Sequence, residues 1–168
     1  MIKKIAYILL AMLVIIQFIR PARNISTIES PTHIGKKYNI PEPVEAILEK
    51  ACFDCHSNNT VYPWYANVQP VGFWLDDHVK DGKRELNFSE FLSYSPKKAR
   101  HKMVELIDQV KEGEMPLNSY TWIHTSSKLS QEEKAVLSAW ADAIAKQIAS
   151  ENNLPPSEPK SDGPPEQD

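Results

Sequence analysis

Glycine is scarce, at five residues in 168. So few glycines suit neither a glycine-cradled phosphate site nor a fold built on many tight hairpins, and helices become the expected building block. Cysteine is scarcer still, at two, which excludes a disulfide-dense scaffold and a four-cysteine zinc site. No excess of positive charge is present either: 19 basic residues face 22 acidic ones. The stretch 41–150 holds 12 basic and 16 acidic side chains, so no strongly basic face advertises nucleic acid as a partner. The length suits one ordinary domain with appendages rather than two independent cores.

The charge that is present is unevenly placed. Residues 1–40 carry six basic and one acidic residue. Within them, Lys3 and Lys4 precede an apolar run from Ile5 to Ile19 broken only by Gln17, and Arg20-Pro21 follow. As a helix this run spans about 22 Å, short of a ~30 Å hydrocarbon core unless the flanking cations snorkel to the headgroups. No small-residue cleavage pattern follows Ile19, so residues 1–23 are read as a retained signal anchor before a cleaved signal peptide. With no cysteine nearby, a lipoprotein anchor is excluded. The expected location is a membrane, single-pass with the folded domain outside it, or secretion if the segment is removed. Residues 24–40 read as a polar tether. Residues 151–168 hold five of the thirteen prolines and are expected to be disordered. The folded unit is then 41–150.

Four helices are expected inside it. Val44, Ile47, Leu48 and Ala51 form an i, i+3, i+4, i+7 stripe after Pro41 and Pro43. Pro70 opens a second segment whose Val71, Trp74, Leu75, His78 and Val79 share a face before Gly82. Ser95 caps a third, with Pro96 at its first position, Met103, Leu106, Ile107 and Val110 inward, and Gly113 as the stop. Ser130 and Glu133 make a capping box for the last, with Val136, Leu137, Trp140, Ile144 and Ile148 as its apolar stripe to about residue 149.

The first helix delivers the strongest signal. Cys52-Phe53-Asp54-Cys55-His56 has the C-x-x-C-H spacing of c-type haem attachment, and two cysteines and a histidine fall so by chance roughly 0.04 per cent of the time. The chemistry needs this pattern. The two sulfurs add across the two porphyrin vinyl groups, and the adjacent His56 becomes the proximal iron ligand. A thioredoxin-like C-x-x-C wants a βαβ context that is missing here, and a zinc site wants more ligands.

The block Cys52-Phe53-Asp54-Cys55-His56-Ser57-Asn58-Asn59-Thr60, with Val61-Tyr62-Pro63-Trp64-Tyr65 and Gln69-Pro70-Val71-Gly72, resembles the haem-binding domain family of bacterial C-x-x-C-H proteins. Later elements match it too: His78-Val79, Leu86-Asn87-Phe88-Ser89, Gly113-Glu114-Met115-Pro116-Leu117, Tyr120-Thr121-Trp122-Ile123-His124 and the helix around Trp140. The resemblance covers nearly all of 32–148. It implies an all-α, small cytochrome c-like helical domain around one covalent haem c, periplasmic or membrane-tethered, and it supplies no substrate.

The sixth iron ligand must come from elsewhere, usually a thioether or an imidazole. Met115 is the leading candidate, because it lies in the loop between the third and last helices and precedes Pro116, a placement similar to that of the methionine in mitochondrial-type cytochromes. The plainer reading, ranked behind ligation, is that Met115 fills core space. His78 is the alternative, with His124, Met103 and His101 behind it, and an open sixth position also stays in play. Trp64, Tyr65, Trp74 and Trp122 could line the haem crevice or simply pack, while Asn58, Asn59 and Thr60 fit a turn-organising role. The leading function is electron transfer with redox partner proteins of unknown identity. The alternatives are a peroxidase-type enzyme or its accessory subunit, with His78 or His124 as distal acid-base group, and a redox or gas sensor acting through another protein.

Overall fold

The computed structural model describes residues 1–155, which fold as seven helices: α1 (Ile2–Ile16), α2 (Glu42–Ala51), α3 (Phe53–His56), α4 (Val71–Glu85), α5 (Pro96–Glu112), α6 (Asn118–Ile123) and α7 (Gln131–Glu151). Among the described residues the extended chain makes only one isolated bridge, Ile25 to Asn59, so the molecule is all-helical. Short 3-10 turns at Ile34–Lys36, Trp64–Asn67, Phe88–Ser93 and Thr125–Ser127 link the helices.

The frame is the pair α5 and α7, packed along each other and closed by α2. Ser95 caps α5 by accepting from the Lys98 N–H, and α5 ends at Gly113 with φ 81°, a left-handed stop that glycine adopts without steric cost. The capping box of α7 is complete: the Ser130 hydroxyl accepts from Glu133 N–H while the Glu133 carboxylate accepts from Ser130 N–H. From α5, Met103, Leu106, Ile107 and Val110 point inward; from α7, Leu137, Trp140, Ile144 and Ile148 do, joined by Ala141 and Ala145. Val136, expected on this stripe, stays 42 % exposed. Phe88 and Phe91, from the turn between α4 and α5, are fully buried in the same core.

Four features depart from the sequence reading. The segment 24–40, read as a tether, is part of the fold: Ile34 and Tyr38 lie in the core, and the Trp140 indole donates to Asn39 O at 3.0 Å. Two well-placed apolar residues outweigh the polar average of that stretch. Second, α4 does not stop before Gly82 but continues to Glu85. Third, the helix carrying the cysteines breaks at Cys52, whose φ of −128° leaves α2 and starts α3. Fourth, the segment expected to span the membrane forms only α1, which is 15 residues long and buries none of them, and no helix among the described residues is long and apolar enough to cross a membrane. The predicted disorder of 151–168 falls mostly outside the described residues, although Glu151 ends α7 and Leu154 packs against the core.

One joint fixes α1 to the domain. The Gln17 side chain accepts from Gln69 N–H at 2.9 Å and donates to Gln69 O at 3.0 Å, while the Gln69 amide donates to Ile19 O at 3.1 Å.

Candidate cofactor site

The C-x-x-C-H turn is held from inside its own sequence. Phe53 packs edge-on against Phe88 with ring centroids 5.6 Å apart. Asp54 accepts from Val61 N–H at 2.9 Å and from the Tyr120 hydroxyl at 2.8 Å, so the two intervening positions pin the turn on both sides. Asn58, Asn59 and Thr60 brace the following chain: Asn58 donates to Glu90 at 2.7 Å, Asn59 accepts from Ser26 N–H at 2.8 Å, and Thr60 donates to Asp54 O at 2.6 Å.

His56 is the best-positioned of the histidines for a metal ligand. Its Nδ1 lies 2.9 Å from Leu86 O. Burial lowers its pKa below the ordinary value, against weaker opposition from the backbone bonds, so the ring is neutral at pH 7. A neutral imidazole that donates from Nδ1 keeps its lone pair on Nε2, the arrangement that orients an iron-binding histidine. The cysteines tell a matching story. Burial pushes the Cys52 thiol up to about 12, helped by Cys55, and the Cys55 thiol up to about 11, helped by Asp54. A redox-active C-x-x-C needs the opposite shift. Among the described residues, no group of three His, Cys, Asp or Glu could hold a metal ion by itself.

Cys52 and His56 line an open cleft of about 210 Å³, whose other walls include Leu106 and Val110 of α5, Phe88, and Met115 with Pro116. Its volume lies below the roughly 300–1,000 Å³ of ordinary small-molecule sites, and its lining is predominantly apolar. The Met115 loop is tied back to α5 through two N–H donors, Glu114 at 3.0 Å and Met115 at 3.1 Å, both to Gln109 O. One imidazole with a free lone pair, one thioether and an adjacent thiol therefore face one predominantly apolar cleft, a donor set that fits haem better than any bare ion.

The other sequence candidates lie away from this cleft. His78 bonds Trp74 O at 2.8 Å and lies against the Trp74 ring at 4.1 Å. His124 stacks on Tyr120 at 4.4 Å and bonds the Tyr65 hydroxyl at 2.7 Å. Met103 is fully buried in the core and His101 is exposed. Trp64 and Trp122 are 78 % and 86 % exposed, and neither they nor Tyr65 and Trp74 line the cleft, whose aromatic is Phe88. Sequence reasoning missed Leu86 and Lys102, the first because it acts through its backbone, the second because a lysine on α5 reads as solvated.

A helical domain with a C-x-x-C-H turn at the mouth of an apolar cleft defines a haem-protein class. The family model described as haem-binding domain matches residues 11–143, so the chain belongs to the haem-binding domain family and its cofactor is haem. Among curated proteins it is similar to the cytochrome c peroxidase Ccp of Escherichia coli strain K12, 30 % identical over 106 residues. That match covers 61 % of this chain and 22 % of the relative, so the chain spans about a fifth of that protein's length. No solved structure matches.

Proposed function

We propose that the protein is a monohaem c-type electron carrier: Cys52 and Cys55 hold one haem covalently, His56 is the proximal ligand and Met115 the distal one. The observation that supports this reading above others is the meeting of Cys52, His56 and Met115 on one cleft. When bound, haem supplies a one-electron iron couple. The protein's part is to hold ligands and exclude water. Leu86 O fixes the His56 ring, the Gln109 carbonyl fixes the Met115 loop, and Phe88, Leu106 and Val110 provide the apolar wall. A thioether ligand in a partly apolar setting raises the potential.

The membrane is proposed as the second attachment. Supporting it are the exposed apolar side chains of α1, such as Leu9, Leu10 and Leu13, and the basic residues on either side, Lys3, Lys4, Arg20 and Arg23. The reading places α1 in the bacterial inner membrane, the flanking cations reaching for the headgroups, and the haem domain in the periplasm with redox proteins as partners. Removal of α1 would make it a periplasmic protein instead.

The partial similarity to a cytochrome c peroxidase favours one second reading, an open iron that turns over peroxide. The two readings separate in one experiment. The holoprotein, matured with a c-type haem system, should take up and release one electron reversibly and show no peroxide turnover with a reduced donor. Sustained peroxide turnover would move the assignment to the enzyme.

A further inference from the structure

Lys102 is the one cation among the residues lining the cleft. Its side chain is only 12 % exposed, while its partners Glu85 and Glu105, at 3.2 and 2.8 Å, are 59 % and 39 % exposed. Burying a lysine head costs hydration and rotamer freedom. An ion pair alone does not require that cost, because Lys80 and Asp76 pair at 2.6 Å with the lysine 68 % exposed. An ammonium also has three donors, and Glu85 and Glu105 take two of them.

The ligand this cleft accepts brings carboxylates of its own. Haem carries two propionates on the porphyrin edge remote from the vinyl carbons. Cys52 stands at the corner of α2 and α3, whereas Lys102 stands on α5, a different wall of the cleft. We propose that Lys102 binds a haem propionate: the third ammonium donor takes the carboxylate, while Glu105 and Glu85 keep the head at the cleft's edge. The inference rests on haem filling the cleft, and adds to it a fixed orientation of the porphyrin in its plane. Glu85, the longer and more exposed of the two contacts, keeps its place but competes with the propionate for the same ammonium, since like charges beside one ammonium repel.

The test uses covalently loaded holoprotein and two readouts, the propionate bending mode in the resonance Raman spectrum and the midpoint potential. Lys102→Met should move the propionate mode toward that of a free carboxylate and lower the potential, because a cation beside the haem disfavours the ferric state. Lys102→Arg should shift the mode without freeing it and keep most of the potential. It decides the matter alone if Lys102→Met fails to load haem. Glu85→Gln, which removes the competitor, should strengthen the propionate bond. A propionate mode unmoved in all three variants would overturn the Lys102 assignment while leaving the haem reading intact. Absence of covalent haem from the unmutated protein would instead overturn the haem reading, and shows before any variant is made.

Discussion

Gly82 lies so close to Cys55 that a Cβ built on it would stand 2.7 Å from the Cys55 carbonyl oxygen and 3.0 Å from the Cys55 Cβ. The close contact lets α4 pass against the C-x-x-C-H turn and brings the Leu86 carbonyl, four residues on, to His56 Nδ1.

Gly82→Ala should therefore hurt. Alanine is the better helix former, by up to ~1 kcal/mol, but here the obstacle is backbone and cannot swing aside. The expected net cost is about 1–3 kcal/mol in denaturant unfolding, as for overpacked cores, with a lower yield of haem-loaded protein. A stabilised variant would mean that α3 and α4 are not held at this distance.

The joint at Gln69 gives a second prediction. Its side chain, 2 % exposed, donates to Ile19 O and accepts from Phe73 N–H at 3.0 Å. Gln69→Leu leaves both groups without it and should cost about 1–3 kcal/mol. Full-length chain should also stay with membranes through high-salt and alkaline washes. Release by salt alone, or a mature amino terminus beyond Ile19, would remove the membrane reading.

Stability of the haem-free protein should depend on pH in a known direction. Burial holds the pKa of His56, and likewise of His33, below the ordinary 6.5. In the window below 6.5 the unfolded chain binds more protons than the folded one, so folding loses stability as the pH falls. The contribution is fully present above that value. His56→Gln should flatten part of the slope in a chemical denaturation series between pH 7.5 and 5.5, leaving the His33 share. An unchanged slope would show that the His56 ring is not buried neutral.

Covalent attachment is checked by extraction. Protein matured with a c-type haem system should keep its colour through denaturation and acid-organic extraction, and Cys52→Ala with Cys55→Ala should release it. Equal loss from both proteins would remove the thioether assignment.

Much of this was legible in the chain. The caps of α5 and α7 are local devices, written by Ser95, Pro96, Gly113, Ser130 and Glu133 within a turn of where they act, and the C-x-x-C-H spacing is local chemistry. The support of His56 was not legible, because its partner is a backbone carbonyl 30 residues away and any residue type could supply it. Gly82 read as a helix stop because sequence shows what glycine permits, not what approaches it. Ile34 and Tyr38 were hidden in a polar average, and Lys102 among the charges of α5. His78 shares a helix with Leu75 and Val79, but its ring lies against Trp74 and its Nδ1 bonds the Trp74 carbonyl.

The sixth ligand carries the central claim, that haem sits in the cleft between His56 and Met115. The most direct measurement is the weak sulfur-to-iron band of the ferric holoprotein, read alongside carbon monoxide binding to the ferrous form. The unmutated protein should show the band and bind carbon monoxide slowly; Met115→Ala should lose the band, bind carbon monoxide fast and have a lower potential. A spectrum unchanged by Met115→Ala but altered by His78→Ala would contradict the account.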